Sequence, residues 1–156
     1  MSEQASNEQA GGQVTLQKIY VKDLSFESPN APQVFTQELK PKTQLNLRSG
    51  HRELENGTYE VVLTVTVEAK AEEKTVFLME IQQAGLFGLA GIGEEHRSML
   101  LGSFCPGVLY PYVREAVASL VQRGGFPEFL LQPIDFDGLY AQSRQEGATP
   151  PAEQQN

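Results

Sequence analysis

The sequence is poor in the residues that build reactive sites or bind nucleic acid. It has one cysteine, two histidines, no tryptophan, and 12 lysines and arginines against 20 acidic residues, which gives a net charge of −8. The lone Cys105 excludes an intramolecular disulfide framework and favours a reducing compartment. The shortage of positive charge argues against nucleic acid and anionic membrane surfaces as partners. An acidic surface instead suits a basic partner.

Long apolar runs are also absent. No stretch approaches the ~20 apolar residues that a membrane-spanning helix needs, and the N-terminus has no signal-peptide pattern. We therefore expect a cytoplasmic protein that does not insert into membranes. Residues 1–13 and 142–156 have few core-forming side chains, which predicts two disordered tails around one domain at residues 14–141.

Catalytic and metal-binding patterns are missing as well. His51 and His96 lie far apart, and neither belongs to a cluster with the spacing of metal ligands. Cys105 has no nearby histidine or second cysteine, so a buried structural thiol is the favoured interpretation. The glycines at residues 85–93 do not match a phosphate-binding loop, and two glutamates follow them. We therefore expect no enzyme activity, no cofactor and no metal.

What the sequence does contain is a central β-hairpin followed by an unusual loop. Residues 59–70 alternate between apolar and polar side chains, and residues 75–83 place Phe77, Met79 and Ile81 on one face and a mixed set of side chains on the other, which predicts two paired strands with one face toward the core. Residues 84–93 are rich in both glycine and large apolar side chains. Two interpretations remain open for this segment: a flexible linker between sheet and helix, or an adaptable apolar contact surface.

Two further strands are predicted before the hairpin. Residues 43–48 alternate cleanly. Residues 14–23 have strand composition, but their alternation changes parity, which fits a β-bulge or a strand covered on both faces. Four strands with short connections predict an antiparallel meander.

Helical patterns take over after Glu94. A short helix is expected over residues 94–101, and a longer one from Pro106 to Arg123, where Gly124 and Gly125 supply a C-cap. Asp135 is the predicted N-cap of a short last helix that runs through Tyr140, with its end beyond that residue left open. Strands followed by helices predict an α+β fold with the helices on one face of the sheet.

Four residues near the strands suggest a partner surface: Asp23, Glu27, Leu78 and Glu80. Polar side chains are ordinary on an exposed sheet face, but an apolar Leu78 among them is not. Either a partner or a second subunit could cover it, since strands that are apolar on both sides often have both faces covered. The phenylalanines in irregular segments leave two alternatives, core filling under loops or an adaptable aromatic groove.

Four segments, in this order along the chain, resemble the SecB family of bacterial protein-export chaperones. They are IYVKDLSFESPNAP (residues 19–32), FLMEIQQAGLFGLAGI (77–92), FCPGVLYPYVRE (104–115) and RGGFPEFLLQPIDFDGLY (123–140). The resemblance implies a four-stranded antiparallel sheet with helices on one face, assembled as a homotetramer that is a dimer of dimers. It also implies a holdase that works without ATP hydrolysis.

In such a family member, unfolded secretory precursors would be held and delivered to the motor ATPase SecA. SecA contacts would fall on Asp23, Glu27, Leu78 and Glu80, and any zinc would belong to the basic tail of SecA. The groove for the unfolded client would be lined by Phe26, Phe35, Leu39, Leu45, Leu47, Leu86, Phe87, Ile92, Phe136 and Tyr140. The family often has a tryptophan where this chain has Leu39, which reduces the aromatic area there. The competing interpretation is a non-catalytic acidic scaffold that binds one folded partner.

Overall fold

The computed structural model describes residues 12–147, which form four strands followed by helices. The strands are β1 (Thr15–Glu27), β2 (Lys42–Glu53), β3 (Thr58–Ala71) and β4 (Lys74–Gly88). The helices are α1 (Glu94–Met99), a π-helical turn (Leu100–Phe104), α2 (Cys105–Arg123) and α3 (Phe136–Gly147), and a 3₁₀ turn (Gln33–Phe35) lies between β1 and β2. The predicted α+β class is confirmed. The parts of the predicted tails at residues 1–11 and 148–156 lie outside the described residues.

The sheet is only partly a meander. Its strand order is β1-β4-β3-β2, so β2, β3 and β4 are joined as predicted, whereas β1 pairs antiparallel with β4. The prediction that β1 lies beside β2 was wrong. The connection after β1 crosses the end of β4 instead, where Ser28 Oγ donates to Val76 O at 3.0 Å and Asn30 Nδ2 donates to Thr75 O at 2.8 Å.

β1 contains the irregularity that its sequence indicates. The register with β4 shifts between Leu16 and Lys18 and again between Val21 and Asp23. These shifts confirm the β-bulge interpretation of the parity change.

β4 is longer than its alternation predicts. Residues 84–88 continue the strand and pair with both β1 and β3. A Cβ at Gly85 would lie 3.1 Å from Leu109 of α2 and 3.2 Å from Lys18 O, so glycine here permits close packing of the helix on the sheet. Neither open interpretation of residues 84–93 holds for these five residues, which are part of the sheet.

The core lies between one face of the sheet and α2. Alternate residues of β3 and β4 pack against the repeating apolar positions of α2, and all of these side chains are completely buried. They are Val61, Leu63, Val65 and Val67 of β3, Met79, Ile81 and Phe87 of β4, and Leu109, Val113 and Val117 of α2. The periods of two and of 3.6 residues predict this arrangement.

The predicted end of the long helix and the predicted start of the last helix are confirmed, whereas the short helix predicted over residues 94–101 continues through the π-helical turn into α2. Pro106 lies in the first turn of α2, and Gly125 has φ +89° just after its last turn, where the Phe126 N–H donates to Val121 O at 3.1 Å. Asp135 Oδ1 accepts from the Gly138 N–H at 3.0 Å at the start of α3.

α3 extends further than expected. Residues 142–147, which the composition predicts as disordered, continue the helix. Gln142 Nε2 donates to Glu146 Oε1 at 3.2 Å across one helical turn. The domain therefore includes these residues, and the predicted boundary at residue 141 was wrong.

Candidate functional site

One face of the sheet packs against the helices, and we call the other the helix-free face. The helix-free face brings together the four residues predicted to bind SecA. In the register of β1 and β4, Glu27 is opposite Leu78, Ser25 is opposite Glu80, and Asp23 is opposite Gln82. Paired residues of antiparallel strands point to the same face, so the four side chains form one cluster. We call Asp23, Glu27, Leu78 and Glu80 the acidic patch.

The acidic patch combines exposed charge with a partly covered apolar side chain. Asp23 and Glu27 are exposed, Leu78 and Glu80 are half-buried, and Thr66 Oγ1 donates to Glu80 at 3.3 Å. On the β3 side, Leu78 is opposite Glu68. Glu68 forms an ion pair with Lys70, with 3.4 Å between Oε1 and Nζ. Sequence reasoning missed Glu68, although the alternation of β3 already places it on the polar face.

At the other end of the helix-free face, the buried carboxylate of Glu60 forms ion pairs with Lys22 and Arg52. Glu60 is 5 % exposed, and it accepts hydrogen bonds from Lys22 Nζ at 2.9 Å, from Arg52 Nε at 3.1 Å and from the Tyr20 hydroxyl. These donors lower the pKa of Glu60 to about 2, the Lys22 bond most of all. Burial, together with the hydrogen bond to Glu60, raises the pKa of Tyr20 to about 12. No sequence pattern marks this network.

The helix side of the sheet carries a line of aromatic rings near the β3–β4 turn. The ring centroids of Phe35 and Phe126 are 5.2 Å apart, those of Phe126 and Phe77 are 5.1 Å apart, and those of Phe77 and Phe26 are 5.9 Å apart. Phe35 is 52 % exposed at the outer end of this line. Beside it lies a pocket of about 170 Å³ that includes Val34 and Leu39.

The other residues predicted for the client groove are divided among three places. Leu45 and Leu47 lie on the helix side of the edge strand β2, opposite Val67 and Val65. Phe136 is buried against Tyr110, and Tyr140 packs on the π-helical turn, where its ring limits the space at Gly102.

Three groove predictions need correction. Phe87 is completely buried and Ile92 is 5 % exposed, so both belong to the core and offer no surface to a ligand. Leu86, one residue before Phe87 in a strand, points to the opposite, helix-free face. The alternation of β4 separates these side chains, because the segment is a strand and not a loop.

The described residues have no metal-binding cluster, and their cysteine is buried. No group of three or more His, Cys, Asp or Glu side chains in residues 12–147 could hold a metal ion. Burial raises the pKa of Cys105 to about 12, which keeps the thiol protonated. Within the same residues, no helix is long and apolar enough to cross a membrane.

Comparison with known proteins identifies the family. The model for the preprotein translocase subunit SecB matches residues 6–147. Protein-export protein SecB of Methylococcus capsulatus is 51 % identical over 96 % of this chain and 99 % of its own length. The corresponding protein of Nitrosococcus oceani is 49 % identical over 94 % of this chain and 93 % of its own length.

A solved structure shares the fold. It is a Mycobacterium tuberculosis SecB-like chaperone in complex with an antitoxin peptide, with a TM-score of 0.60 and 18 % identity, over 78 % of this chain and 90 % of the other. The family model spans all of the described residues, and the relatives match over almost their full lengths. The chain therefore belongs to the SecB family of protein-export proteins.

Proposed function

We propose that this protein is an ATP-independent holdase of the cytoplasm, which binds unfolded secretory precursors and delivers them to the SecA motor. It has no catalytic role of its own, and it acts as a homotetramer formed from two dimers. Membership of the SecB family carries this proposal, and the two surfaces described above give it a physical basis.

Client binding would use the aromatic side of the sheet. Phe35, Leu39, Leu45 and Leu47 leave apolar surface exposed or half-exposed there, next to Phe26 and Phe126. An unfolded chain offers matching apolar segments, and their burial releases about 25 cal/mol per Å² before ordering costs are subtracted. A folded client hides these segments, so binding selects proteins that fold slowly.

Tetramer formation would raise the affinity without any new contact. Several moderate sites on one assembly can bind one long client chain, and each bound segment raises the effective concentration of the next. This mechanism needs no nucleotide, because release follows when the client folds or is passed on.

SecA would dock on the acidic patch. The carboxylates of Asp23, Glu27 and Glu80 attract a basic segment, and Leu78 between them supplies an apolar anchor. Exposed charges of this kind mainly accelerate and orient the encounter with SecA. The apolar contact at Leu78, once water is excluded from it, slows dissociation.

The chaperone proposal is tested by calorimetric titration with a slow-folding secretory precursor, once unfolded and once folded, without nucleotide. We expect tight binding of the unfolded form alone. Equal binding of both forms, or of neither, would contradict the holdase and favour a scaffold for a folded partner.

The SecA assignment is tested by replacing Leu78→Ser and Glu80→Gln together. We expect SecA binding to weaken by about tenfold, because an anchor and a charge are both lost. Client binding should stay unchanged, since the two surfaces lie on opposite faces of the sheet. Phe35→Ala is the matched control, with the reverse result expected. Equal loss of both activities in the Leu78/Glu80 variant would contradict the assignment.

A further inference from the structure

The helix-free face has a second charged end beyond the acidic patch. Leu86 lies eight residues after Leu78 on β4 and points to the same face, about 26 Å away at the usual rise per residue. Lys18 is opposite Leu86 on β1, and Glu60 is opposite it on β3, with Arg52 next to Glu60 on β2. Both ends therefore have a half-buried leucine between charged neighbours, but the charges have opposite signs.

The cations of this second end are held in fixed positions. Lys22 and Arg52 both bond to the single carboxylate of Glu60, so the three groups together keep one net positive charge. Arg52 uses its Nε for Glu60, and its side chain is 67 % exposed, which leaves the terminal nitrogens directed to solvent. A guanidinium with free terminal donors binds a second carboxylate well.

A shallow surface pocket of about 370 Å³ lies between these cations, lined by Lys22, Gly50, His51, Arg52, Glu60 and Val62. A Cβ at Gly50 would meet no atom within 4 Å, so a side chain placed there would extend into open space at the pocket. In a chain with a net charge of −8, such a positive pocket is a local exception.

We propose that the helix-free face is one two-ended docking surface for a single segment of the partner. The basic and apolar end of the segment lies on the acidic patch, and an acidic side chain about 26 Å away enters the pocket between Lys22 and Arg52. The inference rests on the proposed function, with SecA as the partner. It adds a carboxylate-binding pocket and a fixed direction for the bound segment.

The opposite charges give the docked segment its direction. A segment placed the other way round would bring its basic end to Arg52 and its acidic side chain to Asp23 and Glu27. Like charges brought together at an interface repel each other, so one orientation of the segment is preferred. An extended segment of about eight residues spans the distance between the two ends.

Two variants test the pocket by independent means. Gly50→Val fills the pocket without changing any charge, and a β-branched side chain suits a strand. Arg52→Gln removes the exposed cation. The matched control is Arg48→Gln, which removes the same charge from the same strand and face, opposite Thr64 and between the two ends. Purified SecA is the probe, and calorimetry measures its affinity for each full-length variant at two salt concentrations.

We expect Gly50→Val and Arg52→Gln each to weaken SecA binding by about threefold to tenfold, with Arg48→Gln within about twofold. Only Arg52→Gln should also reduce the salt dependence, because only it removes a charge from the contact. Binding of an unfolded precursor and the urea midpoint of Gly50→Val should match the wild type, which shows that the fold is intact.

Two results would overturn the inference while leaving the SecA assignment standing. In one, Leu78→Ser with Glu80→Gln weakens binding but Gly50→Val and Arg52→Gln do not. In the other, Arg48→Gln weakens binding as much as Arg52→Gln, which indicates a general field and no pocket. Absence of SecA binding by the wild type, or no effect at Leu78 and Glu80, would overturn the SecA assignment and this inference with it.

Discussion

Glu60 is the residue whose ionisation is most tightly linked to the fold. Its carboxylate is buried and accepts three hydrogen bonds, two of them from cations. A carboxyl group whose pKa is lower in the folded than in the unfolded state stabilises the fold above its unfolded pKa. For Glu60 this contribution is complete above about pH 5 and is lost as the pH falls from its ordinary value of 4.5 toward about 2.

We expect Glu60→Gln to lower the free energy of unfolding at pH 7 by about 1–2 kcal/mol, a value reduced for solvent screening because Lys22 and Arg52 are partly exposed. The difference from the wild type should shrink as the pH falls to 2.5, because the unfolded chain then binds a proton at Glu60 while the folded protein still holds the carboxylate ionised. Urea unfolding at a series of pH values measures this. Glu95→Gln, at an exposed position, is the control and should change little. A difference that stays constant with pH would contradict the role of the ionised carboxylate.

Single residues show what a local pattern can and cannot predict. Asp135 and Gly125 were assigned correctly, because a helix cap depends on the few residues around it. Leu86 and Phe87 were assigned to one groove, but they point to opposite faces. Once the strand is known to continue through them, alternation gives the right answer. Their glycine neighbours hid that continuation, since glycine disfavours strands except where the packing needs it.

The two hairpin turns differ in how well their residues suit them. In the β2–β3 turn, Asn56 and Gly57 have φ of +55° and +74°, which is the Asn-Gly pattern of a type I′ turn. In the β3–β4 turn, Glu72 and Glu73 take φ of +53° and +64°, in a region where a side chain is strained. The adjacent like charges add repulsion. The β3–β4 turn is therefore the less favourable of the two.

We expect Glu73→Gly to raise the free energy of unfolding by about 0.5–1 kcal/mol, because relief of left-handed strain exceeds the entropy cost of glycine. The opposite change, Gly57→Ala, should lower it, since the added Cβ would lie 2.9 Å from Ala90 Cα and the φ is positive. Urea unfolding of both variants gives the comparison. A destabilised Glu73→Gly variant would show that the Glu73 side chain makes a contact that outweighs the strain.

The place of β1 is the element-level feature that the sequence did not predict. Its bulged strand was recognised, but its partner was not, because neighbours in sequence are the default partners in an antiparallel sheet. β1 pairs with β4 along its length, and Ser28 and Asn30 hydrogen-bond to the start of β4, all of which are long-range contacts. Asp23 and Glu27 come beside Leu78 and Glu80 only through this pairing. The candidate site was therefore named from the family resemblance, while its geometry required the structure.

For the whole molecule, the exposed apolar side chains of β1 are the feature that bears on the proposed assembly. β1 is an edge strand, and on its helix side Leu16, Val21 and Leu24 are 50, 52 and 41 % exposed. An edge strand with exposed apolar side chains favours pairing with another chain. A second copy of the protein on this edge would cover them and continue the sheet, in agreement with the proposed tetramer.

We expect Val21→Lys combined with Leu24→Lys to shift the protein from the proposed tetramer to smaller species, because two buried charges would oppose each closed interface. Sedimentation velocity over a range of concentrations measures this. Leu54→Lys, at another exposed leucine outside the strands, is the control and should stay tetrameric.

The dissociated variant should also bind a long unfolded precursor at least tenfold more weakly, although no groove residue has changed, because the sites no longer act on one assembly. Retention of the tetramer would place the subunit contact elsewhere, and unchanged client affinity after dissociation would show that a single subunit is sufficient to hold the client.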